Sequence, residues 1–137
     1  MNILFICKYN RFRSKVAEAY FKKINKNKNI KVKSAGLFEL DKPLSSTENL
    51  RNKIIKNNFG LIIKGGSKGI RVSELEKSDK IIVVASDIPR IVFNHPEDKK
   101  KVEFWKAVDD TKGEEARINK TVKFIIKRVD RLIKKLK

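Results

Sequence analysis

The chain opens on Asn2 to Ile6, a short apolar run rich in β-formers and bounded by polar residues, which predicts a buried strand. From Ser14 onward Val16, Ala17, Tyr20, Phe21 and Ile24 recur at three- and four-residue intervals. That spacing predicts a helix with one apolar face, ending near the polar cluster Asn25 to Asn29. Ile30 to Ser34 alternates as a second strand, with Ala35-Gly36 expected as the turn that closes it. Ser46 to Asn58 carries Leu50, Ile54 and Ile55 on a helical period, with Ser45 or Ser46 as cap. Gly60 to Gly69 reads either as an extra strand or as a helix end plus loop. Lys80 to Ala85, dominated by β-branched side chains, predicts a central parallel strand covered on both faces. Asp87 to Phe93 predicts a short helix and Lys101 to Trp105 a last strand. Arg117 to Leu136 places Ile118, Val122, Ile125, Ile126, Val129, Leu132, Ile133 and Leu136 on one stripe of a long closing helix, whose basic end suits the helix dipole.

Strands alternating with helices predict an α/β fold. The expectation is a single-domain three-layer sandwich over residues 1–137, with a central four-stranded parallel sheet in strand order 2-1-3-4 flanked by helices. In such folds ligands bind beyond the C-terminal ends of the strands, so the loop after the first strand is where chemistry is expected.

Composition narrows the classes. With 137 residues, 40% of them hydrophobic, the chain supports one core. It holds no long apolar run, and a basic segment comes directly after the first strand, so neither a membrane span nor a signal peptide is expected. One cysteine cannot form an internal disulfide, which points to a reducing, cytoplasmic setting and to some other use for the thiol. The formal charge of +18 suits anionic partners. The lysines, however, are scattered from Lys8 to Lys137 without a nucleic-acid-reading motif, so dedicated nucleic-acid binding is not expected. His95, in Asn-His-Pro, reads as a surface loop residue, and Gly65-Gly66 lacks the lysine and hydroxyl spacing of a nucleotide loop.

The lone cysteine ends the first strand in the run Cys7-Lys8-Tyr9-Asn10-Arg11-Phe12-Arg13-Ser14. Five residues between cysteine and arginine suffice to curl the backbone around a tetrahedral anion, with successive N–H groups turned inward. A helix N-terminus adds further donors and a favourable dipole. Arg13 can present a bidentate fork to two oxygens, and the same donors favour Cys7 as a thiolate ready to attack phosphorus.

This opening, NILFICKYNRFRSKVAEAYF, resembles the low-molecular-weight protein tyrosine phosphatases and the arsenate reductases sharing their fold, whose loop runs Cys-x-x-Asn-x-x-Arg-Ser after the first strand. The resemblance implies that Cys7 is the nucleophile and Arg13 the phosphate clamp, with Lys8, Tyr9, Asn10, Arg11, Phe12 and Ser14 forming the cradle. Asn10 would hold a left-handed turn and tether neighbouring serines, Ser14 would support the thiolate, and Ser34 of Ser34-Ala35-Gly36 would bond toward Asn10. Asp87 takes the place of an aspartate after the third strand. The likeness is dense at residues 2–21 and thin between 37 and 79.

The family's general acid lies in an Asp-Pro pair; here Asp109-Asp110-Thr111 lacks the proline. Register puts Asp110 first as acid, with Asp109 as alternative. The family's second loop cysteine and its tyrosine pair are absent, which leaves Tyr9, Phe12, Phe38 or Trp105 for aromatic contacts. The expected activity is phosphate monoester hydrolysis through a phosphocysteine, without metal or cofactor, on a phosphotyrosine-containing protein or another monoester. Two alternatives remain: arsenate reduction served by an external thiol, and a degenerate anion-binding regulatory protein.

Overall fold

The computed structural model describes residues 1–64 and 66–137; Gly65 lies outside the described residues. Four strands, β1 (Asn2–Cys7), β2 (Lys31–Gly36), β3 (Lys80–Val84) and β4 (Val102–Trp105), form one parallel sheet in the order β2-β1-β3-β4. The helices are α1 (Arg13–Ile24), α2 (Ser46–Phe59), α3 (Val72–Lys77), α4 (Pro96–Lys99) and α5 (Glu115–Lys135). The α/β sandwich with sheet order 2-1-3-4 is therefore the one expected.

Alternation along β1 divides the core. Ile3 and Phe5 face a large cluster with Val16, Ala17 and Phe21 of α1 and Ile118, Val122, Ile125, Val129 and Leu132 of α5. Each fully buried branched side chain of α5 contributes roughly 1.5–3 kcal/mol by leaving water. Leu4 and Ile6 face a thinner cluster with Ile81, Val83, Ile88 and Phe93. Across the first cluster Tyr20 Oη donates to Asp130 Oδ1 at 2.7 Å, tying α1 to α5. Burial and that carboxylate push the Tyr20 phenol up to about 12.

Several elements depart from the sequence reading. Ala35-Gly36 is not a turn: both residues complete β2, paired with Ile6 and Cys7. Gly36 is required there because an added Cβ would stand 2.8 Å from the backbone of Asn10, Tyr9 and Phe38. Leu50 is exposed, whereas Arg51 and Ile55 are the residues α2 buries. Ser45 caps α2 through a reciprocal capping box with Glu48, and Gly60 ends it at φ 67°. Residues 61–64 and 66–68 form no strand, and Gly69 pairs with Gly36 as an isolated bridge. The short α3 buries no residue, so its sequence carried no apolar period to read. Arg90–Phe93 forms a 3-10 turn, and His95 caps α4 with Nδ1 accepting from Glu97 N at 3.4 Å.

Candidate active site

Cys7 is the last residue of β1 and Arg13 the first of α1, so the intervening segment turns directly from the sheet's C-terminal edge into a helix N-terminus. Asn10 makes that reversal possible by adopting φ 56°, a left-handed conformation asparagine tolerates better than most residues. Among the described residues, no main-chain N–H from Lys8 to Arg13 donates a hydrogen bond. Residues 10 to 13 are nevertheless buried, and buried amides without partners are costly unless an acceptor sits among them. The carbonyls point outward: Lys8 O accepts from Phe38 N at 2.9 Å, and Tyr9 O from Ser67 Oγ at 2.7 Å.

Behind the loop lies a directed chain of hydrogen bonds. Lys68 N donates to Asn10 Oδ1 at 3.1 Å, which fixes the orientation of the amide. Asn10 Nδ2 then donates to Ser14 Oγ at 2.9 Å and to Ser34 Oγ at 3.0 Å, while Ser34 Oγ donates to Glu18 Oε1 at 2.6 Å. Ser14 Oγ lies 3.0 Å from Cys7 Sγ. Since that oxygen already accepts from Asn10, its own proton is free to point at the sulfur.

Arg13 is almost wholly buried. Its Nη1 donates to Asp87 Oδ1 at 2.9 Å and to Ala107 O at 3.1 Å, and its Nη2 stands 3.7 Å from Asp109 Oδ2. The two acidic candidates are placed differently. Asp109 is 26% exposed and faces Arg13, whereas Asp110 is 1% exposed. Asp110 Oδ2 accepts from Gly113 N at 2.8 Å, and its own N–H donates to Asp109 Oδ1 at 2.9 Å.

Arg11 points away along the rim, where it pairs with Glu48 at 3.0 Å and donates to the carbonyls of Leu40, Lys42 and Pro43. Burial alone would push the Glu48 carboxyl up, but the Ser45 amide and hydroxyl and the Arg11 charge hold it below the usual carboxylate range. Together these residues enclose a cavity of about 230 Å³ that reaches Cys7, Arg13, Asp109 and Asp110, with Tyr9, Phe12, Leu40 and Thr111 on its walls. Phe38 packs on Tyr9 with ring centroids 6.1 Å apart. Trp105 is not at this cavity: it is buried against Phe5 at 5.9 Å, so it is core rather than a substrate contact.

Sequence reasoning missed several members of the site. Glu18, Ser67 and the Lys68 amide brace the loop from outside its own motif, and Arg51 lies beneath the acidic segment. Only Glu18 carried a signal, since it is one turn beyond Ser14 on the same helix.

A parallel α/β sheet with a cysteine on the strand-to-helix loop at its C-terminal edge is the architecture of the low-molecular-weight, cysteine-dependent phosphatases. The chain belongs to the low molecular weight phosphotyrosine protein phosphatase family, whose model matches residues 2–137. Among solved structures it is similar to a low molecular weight protein tyrosine phosphatase from T. tengcongensis, at 27% identity and a TM-score of 0.82, covering 98% of this chain and 99% of that one. The arginine phosphatase YwlE from Geobacillus stearothermophilus matches at 22% identity and 0.78, covering 98% and 92%. An arsenate reductase from Archaeoglobus fulgidus matches at 24% and 0.73, covering 96% and 98%. These last two show a shared fold. A search of curated proteins gave no match. No helix among the described residues is long and apolar enough to cross a membrane.

Proposed function

We propose that the protein hydrolyses phosphate monoesters, with phosphotyrosine as substrate, through a phosphocysteine on Cys7. The observation that carries this reading is the run of amides from Lys8 to Arg13, unpartnered among the described residues, beside a sulfur 3.0 Å from a hydroxyl donor. Such donors match the equatorial oxygens of a transferring phosphoryl group, and they need no reorganisation as charge develops there. The Cys7 thiolate attacks phosphorus as the ester P–O bond breaks, and the leaving phenolate takes a proton from an aspartic acid. Water then gives its proton to the same carboxylate and attacks phosphorus, the S–P bond breaks, and Ser14 steadies the returning thiolate. Arg13, released from part of its pairing with Asp87, supplies the guanidinium fork to the phosphate.

Register favours Asp110 as the acid, but the placement of the two carboxylates favours Asp109. Asp109 is 26% exposed and faces Arg13, while Asp110, which also lines the cavity, gives Oδ2 to the turn at Gly113 and, among the described residues, keeps Oδ1 buried without a partner. In an Asp-Pro member the second position stiffens the loop. Here the bonds Asp110 makes through its N–H and its carboxylate serve that end.

The test is turnover of para-nitrophenyl phosphate and of a phosphotyrosine peptide. Cys7→Ser is expected to abolish turnover and retain phosphate binding, and acid quenching of the wild type is expected to trap phosphate on Cys7. Binding without turnover would favour the anion-binding alternative. Arsenate consumption only with an added thiol would favour the reductase, since Cys7 is the chain's one cysteine.

A further inference from the structure

Arg51 is the charged side chain that α2 sends inward, and it is 5% exposed. One guanidinium there touches both halves of the site. Nη1 donates to the carbonyl of Asp110 at 2.9 Å, and Nη2 donates to the carbonyl of Arg11 at 3.4 Å. The plane lies over the Phe12 ring, with Cζ 4.5 Å from its centroid, and Nη2 is 3.9 Å from Glu48 Oε2. Arg11 and Phe12 belong to the oxyanion loop, and Asp110 belongs to the acidic segment. The acidic segment is also held by Thr121 Oγ1 donating to Val108 O at 2.9 Å, by Arg13 through Ala107 O and Asp109, and by its own turn. Burial pushes the Arg51 pKa down, and Asp109, Glu48, Asp110 and Cys7 oppose that shift. A buried cation tolerates such desolvation only where carboxylates and carbonyls surround it.

We propose that Arg51 is a positioning residue that sets the distance between the acidic segment and the oxyanion loop, so that the proton donor stands over the leaving oxygen. This rests on the phosphatase reading with Asp109 as donor. The planar fork suits that role, because it stacks on Phe12 while two of its nitrogens reach two carbonyls. A lysine can reproduce the charge but not that span. Arg51 also lines the cavity that reaches Cys7, but its Nη1 and Nη2 are engaged by the carbonyls of Asp110 and Arg11 rather than directed at it.

Proton donation matters most when the leaving oxygen is strongly basic, so displacement of the donor has a signature that a general loss of stability lacks. The experiment measures kcat/KM on a series of aryl phosphates, from 2,4-dinitrophenyl phosphate to phenyl phosphate, for wild type, Asp109→Asn, Arg51→Lys and Arg51→Met. Inhibition by inorganic phosphate is measured alongside. Misplacement on the order of 1 Å can cost about a hundred-fold. Both Arg51 variants are expected to lose roughly ten- to hundred-fold on phenyl phosphate and little on the dinitrophenyl ester, as Asp109→Asn does, with inhibition by phosphate unchanged. Unchanged inhibition also reports that the variants fold.

Equal losses on every ester together with weaker inhibition would overturn the proposal, placing the effect in the oxyanion loop. Wild-type behaviour of Arg51→Lys would overturn it too, because charge alone would then suffice. Distinct failures separate the two readings: an inert wild type removes the phosphatase reading and this one with it, whereas an active wild type with unaltered Arg51 variants removes only this one.

Discussion

Asp109 Oδ2 stands 3.7 Å from Arg13 Nη2, while the neighbouring Asp110 turns its carboxylate to Gly113 N at 2.8 Å. The adjacent carboxylates are thereby placed differently, one facing Arg13 and the other giving one oxygen to the turn. Asp109→Asn is expected to lower kcat/KM on phenyl phosphate by roughly 10²- to 10⁴-fold, the usual worth of a general acid. Asp110→Asn is expected to lower the melting temperature more than the rate. Steady-state kinetics on both variants check this, and the reverse ranking would return the assignment to Asp110.

Ser14 offers its hydroxyl proton to Cys7 Sγ across 3.0 Å because Asn10 already occupies the oxygen's acceptor side. A hydrogen bond to a charged group is worth about 1.5–3 kcal/mol. Ser14→Ala is therefore expected to reduce kcat by roughly ten- to hundred-fold. The amides proposed to hold the oxyanion remain, so inhibition by phosphate should stay near wild type, and kcat and the inhibition constant measured together would show it.

Gly36 ends β2 against the back of the loop, where a Cβ would come within 2.8 Å of main-chain atoms of Tyr9, Asn10 and Phe38. Backbone on every side cannot rotate away as a side-chain tip could. Gly36→Ala is expected to cost roughly 1–3 kcal/mol, the usual range for overpacking. Thermal unfolding would register that loss, and the displaced loop should bind phosphate more weakly. A variant that keeps wild-type melting and binding would show that the loop yields more easily than its contacts indicate.

Glu48 pairs with Arg11 and accepts from the Ser45 amide, and together these hold its carboxyl below the unfolded value. A lowered folded-state pKa stabilises the fold above the unfolded value of 4.5, and that stability is lost as pH falls through the folded value. Glu48→Gln keeps a side chain suited to the capping box but removes the charge. The melting temperatures of wild type and Glu48→Gln are expected to differ most above the unfolded value of 4.5 and to converge as pH falls below it. A constant difference across that range would mean that the ion pair contributes nothing.

How far the site was legible in the sequence depended on how local its interactions are. Cys7 to Ser14 could be read because strand, loop and helix succeed one another, so the cradle's geometry is set by consecutive residues. Ser67, the Lys68 amide and Arg51 could not. Each is braced against the loop from a segment with no period of its own, or from a helix position where the pattern pointed to Leu50. Buried Arg51 looks polar in sequence and is interior only because carbonyls of two other segments meet it there.

The sequence by itself determined the order of strands and helices, the apolar stripe of α5 and the loop that joins the first strand to the first helix, since all of these follow from local periodicity and backbone preference. Tertiary structure decided which aspartate faces Arg13, that Trp105 fills the core, and how β2, α2, Ser67 and Lys68 close around the loop. Those outcomes turn on distances between residues far apart in the chain, which packing sets and local pattern does not encode.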